Sequence, residues 1–592
     1  VLGGEDGEPK TPAWASEKCG VPEWTIKALA RDWAKKTASI LHGNGGGLIR
    51  GPYATEPARL EALLLGMRGV GKPGVHQAKL IEFNLWNRDF PLPYQGDFMP
   101  ALPSIADPLR PVDGDVHPSI NMKRFTLNPE QQKRAPELIE LFKQHPAPKQ
   151  FIPRCLIHRA IIDGHAEWYG LQCFSSSQIP DSKNFRQSTS EYEFEKMAYP
   201  RPGLSRIHML WTDAPCNTTC WNDGNLAIES MRHESIECIV AQHPWLENDC
   251  YFADIILPVA TKHELNDIAN DLSSGAYVSI YKADRSSAVV GESLSDFDVC
   301  ARVAEKLGKD VYDMYTCNLS EDERVRYFYK ASGCEDYMTW EEFTKQKIFI
   351  VPCKEGAIDL PPGLREFYED PENHPLTTPS GLIEFSSKHI EQYMPDDPER
   401  PPVPHWIESG ESHDERRSSE RAKKYPLLLM SNHGRWRMHA QCDDIVWNRE
   451  VQTMKVRGAD GYQYEPCWLN PGEADRRGIA HGDVVKVFNE RGIVLCGAYV
   501  TERVTEGVCY VDHGSRLDPI IPGLLDRGGA INTITPAAIT SKHATGMATS
   551  GFLAEVQRVT DAEMSAWRRD YPEAFARRVD EAQGVCLDGW LL

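Results

Sequence analysis

One run near the middle of the chain constrains the fold more than any other feature. A short apolar strand, Glu237–Ala241, leads into a polar turn, and a second apolar segment follows and ends at Pro258. The first strand delivers Gln242, His243 and Asp249 to the loop at its carboxyl end. In open α/β sheets, ligands bind in the crevice outside the carboxyl ends of the strands. The run therefore predicts an α/β sheet with a ligand site at this edge.

The size and charge of the chain exclude several classes of protein. Its 592 residues are enough for three or four domains. The net charge of −21 argues against general nucleic-acid binding, which needs a basic surface. No stretch approaches the roughly 18 consecutive apolar residues that span a bilayer, so no direct membrane insertion is expected. The 16 cysteines include no Cys-x-x-Cys pair, and no iron–sulfur or zinc site is predicted on this chain.

The N-terminal pattern is typical of a nucleotide-binding fold. A predicted helix, Val21–Lys36, precedes a short strand, Thr37–Leu41, and a second predicted helix, Glu56–Arg68, follows a glycine-rich loop. Both helices carry apolar residues at i, i+3, i+4 and i+7, and each is expected to bury one face. The apolar positions are Ile26, Leu29, Ala30 and Trp33 in the first helix and Leu60, Leu63, Leu64 and Met67 in the second.

The glycine loop at residues 43–47 has two interpretations. Backbone amides without bulky side chains can cradle a diphosphate, which makes Gly43, Asn44 and Gly45 candidate ligands, and Arg50 adds positive charge. The loop lacks a full G-x-G-x-x-G, and a tight structural turn explains the same glycines.

A second α/β region is predicted from about residue 151 to residue 347, after an irregular segment with one helix at Ala135–Gln144. Its elements include strands Ile207–Trp211 and Phe252–Val259 and the helix Asp296–Leu307. The first of these strands runs into a polar turn, 211–222. Short side chains such as Asn217 and Asn222 can hydrogen-bond a nucleotide there, although these residues alone favour a capped turn.

The C-terminal part begins after a linker. Residues 395–424 hold five prolines and a charged run, 411–424, that is not expected to bury itself. Short strands at 483–489, 492–500 and 507–511 then predict a β-barrel.

A polar segment follows the predicted strand Pro426–Met430. Polar side chains at this density are costly to bury without a ligand, and arginine forks suit phosphates and fused heterocycles. Anion or cofactor binding and a solvated loop are the two alternatives. The candidate ligands are Asn432, His433, Arg435, Arg437, His439 and Gln441.

Several segments, in order, resemble one enzyme family. They are Gly7–Ala15, Gly69–Gly74, Ala253–Pro258, Thr378–Glu384, and Leu469–Pro471 with Gly478–Asp483. Together they resemble the molybdenum and tungsten enzymes that carry bis-molybdopterin guanine dinucleotide, the dimethyl sulfoxide reductase family. The segments 211–213, 221–225 and 242–245 resemble its transhydroxylase and catechol dehydroxylase branch.

The resemblance implies an α/β fold with two Rossmann-like nucleotide-binding regions followed by a C-terminal β-barrel. The implied domains are 1–110, 111–394 and 425–592, with the linker 395–424 between the last two. The resemblance also implies that cofactor contacts come from the glycine loop, from barrel loops including Asn532, from the turn around Asn217, and from the 242–249 loop with Asp254.

The resemblance further implies a reaction. A molybdenum- or tungsten-dependent enzyme of this branch transforms a polyhydroxylated aromatic by hydroxyl transfer or reductive dehydroxylation. Tyr277 is a candidate catalytic residue in the substrate pocket, and a tyrosine in the hydrophobic core is the alternative interpretation. A ferredoxin-like iron–sulfur partner subunit is expected. Because the chain begins at Val1 without methionine, a truncated chain is expected, with any [4Fe-4S] cluster and the metal ligand on the upstream part or the partner. Oxyanion or sulfoxide reduction, non-redox hydration and an inactive cofactor-binding fragment are the alternatives.

Overall fold

The structure is a computed structural model of the chain. The described residues are 2–4, 7–42, 47–79, 150, 152–169, 194, 196–246, 248–271, 279–316, 318–331, 334–350, 364–376, 378–441, 443, 446–542, 544–576, 579–580 and 585–586. The predicted ligands Gly43, Asn44 and Gly45, the predicted helix Ala135–Gln144 and the pocket candidate Tyr277 lie outside these ranges.

The described N-terminal residues form a strand–helix–strand unit preceded by two helices. The elements are α1 (Pro12–Cys19), α2 (Glu23–Lys35), β1 (Ile40–His42), α3 (Gly47–Arg50), α4 (Thr55–Gly66) and β2 (Gln77–Lys79). Strands β1 and β2 pair in parallel, so α3 and α4 lie in the crossover between them. The predicted order of helix, strand and helix is confirmed.

The buried faces predicted for these helices are wrong. Helix α2 has no buried residue, and Leu29 is 66% exposed. In α4 the buried apolar residue is Leu65, whereas Leu60 and Leu64 are exposed. The end of α4 packs against residues 364–383, where a Cβ on Gly71 would lie 2.1 Å from a carbonyl oxygen. Contacts with a segment distant in sequence therefore decide which side is covered, and local periodicity does not encode them.

The middle of the chain carries a second parallel unit. The elements are α5 (Ile157–Ile162), β3 (Ala166–Tyr169), β4 (Lys196–Tyr199), β5 (Met209–Thr212), α6 (Asn217–Cys220), α7 (Gly224–Met231), β6 (Cys238–His243) and β7 (Ile255–Pro258). Strands β5, β6 and β7 form a parallel sheet in that order, with α6 and α7 between β5 and β6. The predicted strand–turn–strand run is confirmed, and Gln242 and His243 are the last two residues of β6.

Helix α5 contains a buried histidine with a testable pH effect. His158 is 4% exposed, its Nε2 atom has no hydrogen-bond partner in the described part of the chain, and burial lowers its pKa to about 4. An unfolded histidine titrates near pH 6.5. Between pH 6.5 and 4 the proton binds the unfolded chain preferentially, so the free energy of unfolding falls as the pH falls through that window, by up to about 3 kcal/mol. Urea unfolding at pH 4 to 7 measures the effect: the free energy of unfolding of His158→Leu should fall less steeply with falling pH than that of the parent. Parallel plots of this free energy against pH for the two proteins would contradict the effect.

Helices and a small antiparallel sheet follow the parallel unit. They are β8 (Asp267–Asp271), β9 (Ser279–Ala283), α8 (Asp296–Leu307), α9 (Lys309–Thr316), α10 (Glu321–Ala331), α11 (Trp340–Gln346), β10 (Ile348–Ile350), α12 (Arg365–Glu369) and α13 (Lys388–Tyr393). The bounds of α8 agree with the sequence prediction, and Ser295 caps its first turn. The described parallel sheets have two and three strands, and the two larger Rossmann-like regions remain predictions.

The predicted linker is packed against the rest of the protein. Glu399 is buried, and so is Glu415, although the sequence suggested that the charged run 411–424 stays solvated. Glu415 accepts hydrogen bonds from Arg421, Arg491 and the backbone N–H of Leu553. The expectation was wrong because each carboxylate finds cationic or N–H partners, which offset the cost of removing its charge from water.

The C-terminal part contains a closed six-stranded barrel. Its strands are β11 (Leu427–Met430), β13 (Gln463–Leu469), β14 (Val484–Asn489), β15 (Gly492–Val500), β16 (Val508–Tyr510) and β21 (Phe552–Arg558). Pairing runs β11–β16–β13–β15–β14–β21 and returns to β11. Alternating apolar side chains fill the interior, including Leu429, Val487 and Val556. The predicted barrel is confirmed, and a hairpin turn at Glu490 and Arg491 joins β14 to β15.

Shorter helices and strands accompany the six barrel strands. They are α14 (Val446–Arg449), β12 (Val456–Arg457), α15 (Pro471–Arg476), β17 (Pro519–Ile521), β18 (Leu525–Asp526), β19 (Ile539–Ser541), β20 (Ala544–Met547), α16 (Asp561–Asp570), α17 (Pro572–Ala576), β22 (Val579–Asp580) and β23 (Val585–Cys586). None of the helices in the described ranges combines the length and apolarity that crossing a membrane requires.

Candidate functional site

The α/β region docks onto the barrel through a polar contact that we call the seam. It joins residues 217–225 and 248 to barrel residues 511–535. Asn248 Oδ1 accepts a hydrogen bond from the backbone N–H of Leu517 at 3.2 Å, and the backbone N–H of Asp223 donates to Thr535 Oγ1 at 2.8 Å. Ligand sites often form where two regions of a protein meet. A ligand in the seam would touch residues from both.

Among the residues that the structure describes, five buried polar atoms in or beside the seam lack a hydrogen-bond partner. Nearly all buried polar groups in folded proteins are hydrogen-bonded, and leaving one unpaired costs about 1–3 kcal/mol. Such a concentration of unpaired atoms fits a place for a polar ligand. The atoms are Asn222 Oδ1, Asn248 Nδ2, Asn432 Oδ1, Asn532 Oδ1 and His513 Nε2.

Three predicted ligands belong to this group. Asn222 donates to the backbone oxygen of Cys155 at 3.2 Å, and Asn532 donates to the backbone oxygen of Trp221 at 3.1 Å. In both side chains the amide nitrogen therefore donates a hydrogen bond within the protein, and the amide oxygen accepts none from the described residues. Asn432 presents its unpaired oxygen from the polar segment after β11.

Arg50 also lies at the seam. Its backbone oxygen accepts a hydrogen bond from the backbone N–H of Ser550 at 3.1 Å. Burial raises the pKa of the Cys155 thiol to about 12, and the charge of Arg50 opposes that rise. The same charge helps to lower the pKa of His513. For His513, burial is the larger cause of a pKa well below the usual range. Positive charge beside unpaired acceptors suits a ligand with both anionic and N–H groups.

The polar segment after β11 divides between surface and interior. His433 and His439 are exposed at the rim and meet the buried His513, with ring centroids 4.4 to 5.0 Å apart. Arg435 is exposed and lies over the Trp436 ring, and Gln441 is exposed. These side chains are accessible to a ligand at the rim.

Arg437 has a different environment. Its guanidinium is buried and binds both oxygens of Glu465, at 2.7 and 2.9 Å, one oxygen of Asp443 at 3.3 Å, and the backbone oxygens of Asp512 and His513. Burial alone would lower the pKa of Arg437, but the two carboxylates raise it above its usual range. Its donors are engaged within the protein, so its first role is structural and its assignment to a ligand stays a prediction.

The two predicted aspartate ligands between β6 and β7, Asp249 and Asp254, also make hydrogen bonds within the protein. Both oxygens of Asp249 accept two hydrogen bonds, from the backbone N–H and side chain of Asn217 and from those of Thr218, at 2.7 to 3.0 Å. Burial raises the pKa of Asp249, and these donors oppose the rise. Asp254 is exposed and accepts from the backbone N–H of Ile239 at 2.8 Å. Asp249 therefore fixes the start of α6, and Asp254 fixes β7 beside β6.

Gln242 lines a separate cleft of about 630 Å³ against α8. Its amide accepts from Trp211 Nε1 at 3.0 Å and donates to Asp296 at 2.6 Å. His243 lies within 3.0 Å of the backbone oxygen of Trp245, and burial lowers its pKa. The structure thus brings Arg50, Asn222, Asn432 and Asn532 to the seam and places Gln242 elsewhere.

Sequence reasoning missed Asn248 and His513. Asn248 precedes the predicted Asp249 and adopts a left-handed backbone conformation, with φ of 49°. His513 lies three residues after the end of β16, and a single histidine there carries no signal by itself. Cys155 was also missed; its thiol donates to the backbone oxygen of Thr545 at 2.9 Å.

Comparison with known proteins connects this geometry to a family. The domain family described as "Molydopterin dinucleotide binding domain" matches residues 427–551, which include the barrel loops of the seam. The chain is 30% identical to the pyrogallol hydroxytransferase large subunit of Pelobacter acidigallici, covering 94% of this chain and 64% of that protein. It is 29% identical to the dimethyl sulfoxide/trimethylamine N-oxide reductase of Cereibacter sphaeroides, covering 97% and 61%. Along most of its length the chain is therefore similar to proteins of the dimethyl sulfoxide reductase family.

Members of the dimethyl sulfoxide reductase family use bis-molybdopterin guanine dinucleotide with molybdenum, and the matched domain is the one that binds the dinucleotide. The chain spans about three fifths of the length of the two curated relatives. Among solved structures, acetylene hydratase from Pelobacter acetylenicus matches with a TM-score of 0.44 and 16% identity, over 63% of this chain and 46% of that one. This last likeness is too low to add to the assignment.

Proposed function

We propose that the protein containing this chain is a molybdenum-dependent large subunit that transforms a polyhydroxylated aromatic by hydroxyl transfer or reductive dehydroxylation. The observation that carries the proposal is the 30% identity to pyrogallol hydroxytransferase along 94% of the chain. The proposal also draws on the seam, whose unpaired polar atoms suit a large polar cofactor.

In this proposal the seam holds part of the dinucleotide. Guanine and pterin rings carry N–H donors, which would satisfy the amide oxygens of Asn222, Asn432 and Asn532. Arg50 would face the diphosphate, together with the glycine loop at Gly43, Asn44 and Gly45. When bound, the molybdenum centre supplies the redox chemistry, and the chain binds and orients the cofactor.

The sequence-based partner and pocket assignments complete the proposal. A ferredoxin-like iron–sulfur subunit would exchange electrons with the centre; the relative from Pelobacter acidigallici is itself named a large subunit. Tyr277 would hydrogen-bond a phenolic hydroxyl of the substrate.

The reaction is tested by an anaerobic assay of the complete protein, purified with molybdenum. We expect turnover of catechols or trihydroxybenzenes. The second candidate is sulfoxide or amine N-oxide reduction, which the 29% identity to the Cereibacter sphaeroides reductase favours. Turnover of dimethyl sulfoxide or trimethylamine N-oxide without turnover of any phenol would establish that alternative and refute the aromatic substrate.

Asn432→Leu tests the seam without disturbing the fold. The amide oxygen lost has no hydrogen-bond partner among the described residues, so the free energy of unfolding of the cofactor-free chain should not fall. One lost hydrogen bond to the cofactor should lower occupancy about 5–10-fold when the cofactor is limiting.

Molybdenum and guanine nucleotide per polypeptide measure this occupancy. Asn373→Leu, at an exposed position in 364–376, serves as the control. Equal cofactor content in both variants would place the dinucleotide away from Asn432.

A further inference from the structure

A cleft of about 530 Å³ lies on the outer side of barrel strand β11, and this size is typical of small-molecule sites. Leu428 and Met430 line the cleft, whereas Leu427 and Leu429 fill the barrel interior. The charged side chains of the cleft come from helix α1 and from residues 406–418. These residues precede the matched dinucleotide-binding domain and take no part in the seam, so the proposed cofactor site leaves the cleft unused.

Arg416 lines the cleft, and the protein holds its guanidinium group in place. The guanidinium carbon lies 4.1 Å from the centre of the Trp406 ring and 5.2 Å from that of the Tyr53 ring. Its Nε atom donates to the backbone oxygen of Ile407 at 3.2 Å. Within the described ranges its two terminal nitrogens have neither a hydrogen-bond acceptor nor a salt bridge, and burial lowers the pKa of the group. The cation is therefore oriented by the protein while its outer N–H groups remain available to a ligand.

Two carboxylates of the cleft are already engaged and do not neutralise Arg416. Glu408 binds Lys18 at 2.9 Å, accepts from Trp406 Nε1 at 2.6 Å, and also contacts the Ser418 hydroxyl. Burial alone would raise the pKa of Glu408, but these three partners lower it to about 2. Glu415 forms salt bridges with arginines that do not line the cleft.

Arg417 and Glu17 decide the net charge of the cleft. Both side chains are exposed, and neither forms a salt bridge with a described residue. Gly507 leaves space for Arg417, because a Cβ at this glycine would lie 2.5 Å from a terminal nitrogen of the guanidinium. With Arg416 included, two guanidinium groups without a salt bridge face one such carboxylate, so one positive charge is left uncompensated.

We propose that this cleft binds a monocarboxylate with an apolar body. The two terminal nitrogens of Arg416 form a planar fork that matches a carboxylate, and one negative charge balances the cleft. Pro52 and Pro57 lie with Leu428 and Met430 around the charged groups, and these side chains would cover an apolar body. A phosphate group carries more charge and a tetrahedral head, and it would gain nothing from the apolar side chains.

This site does not depend on the proposed reaction, so the test needs neither cofactor nor turnover. Benzoate is titrated by calorimetry into the 592-residue chain at low ionic strength, beside benzamide, acetate and inorganic phosphate. We expect saturable one-to-one binding of benzoate, at least about 10-fold tighter than benzamide, which lacks the charge, and than acetate, which lacks the apolar body. Absence of saturable benzoate binding would overturn the site, and phosphate binding as tight as that of benzoate would overturn the choice of a carboxylate.

Two variants of the cleft locate the bound benzoate. Arg416→Lys keeps the charge and removes the fork, and it should lower benzoate affinity at least about 10-fold. Arg417→Gln changes an exposed side chain, so the unfolding midpoint should stay constant while affinity falls about 3-fold or more. Arg503→Gln, at an exposed arginine outside the cleft, is the matched control and should bind like the parent. Arg417→Gln decides alone if Arg416→Lys does not fold; parent-like affinity in either folded variant would refute the site.

Discussion

Replacing Arg437 with alanine is expected to destabilise the barrel by about 3–5 kcal/mol, because it leaves buried carboxylates without their partner. Glu465 is fully buried and would keep, among the described cationic side chains, only Lys455, at 2.7 Å, to offset its charge. Asp443 would keep Lys455 and Arg449. Urea unfolding of the cofactor-free chain measures the change.

Arg435→Ala is the matched control, two residues away on the same segment. Its guanidinium is exposed, so the free energy of unfolding should change by less than about 0.5 kcal/mol. Cofactor content should fall in this variant if Arg435 contacts an anionic group. Equal stability of the two variants would show that the buried network contributes nothing, contrary to its geometry.

The second large effect is expected at Asp249. Asp249→Ala removes an acceptor of four hydrogen bonds and leaves donors of Asn217 and Thr218 unpaired in a buried place. At about 1–3 kcal/mol for each unsatisfied group, reduced by relaxation, we expect a loss of about 3–5 kcal/mol. The loss should appear as unfolding of the α/β region at lower denaturant concentration than the barrel.

Asp254→Ala is the control for a general sensitivity of the segment between β6 and β7 to substitution. Asp254 is exposed and accepts one backbone hydrogen bond, so its loss should cost only about 1 kcal/mol. A cost for Asp249→Ala as small as that for Asp254→Ala would refute the structural role given to Asp249.

The sequence predicts where helices and strands begin and end more successfully than it predicts which side chains are buried. Helix Asp296–Leu307 and strand Gly492–Val500 have the predicted bounds, because capping residues and strand alternation are local signals. Leu29 is exposed and Glu415 is buried, each against expectation. Both outcomes depend on which distant segment covers the residue, and no local pattern records that.

The candidate site shows the same division. The sequence identified the polar segment after β11 by its composition. Composition cannot show that Arg435 is exposed while Arg437 is buried, because the carboxylate partner of Arg437, Glu465, lies on the distant strand β13. His513 was missed since a single histidine after a strand carries no signal until the fold brings His433 and His439 beside it.

The closure of the barrel sets the order of events when the protein is made. Strand β21, near the end of the chain, pairs with both β11 and β14, and without it the ring of strands stays open. Residues 217–248 leave the ribosome long before that strand, and domains fold as they emerge. The α/β half of the seam must therefore wait, with its polar atoms in water, until β21 has been synthesised. Any large ligand held between the two halves of the seam consequently binds after the barrel has closed.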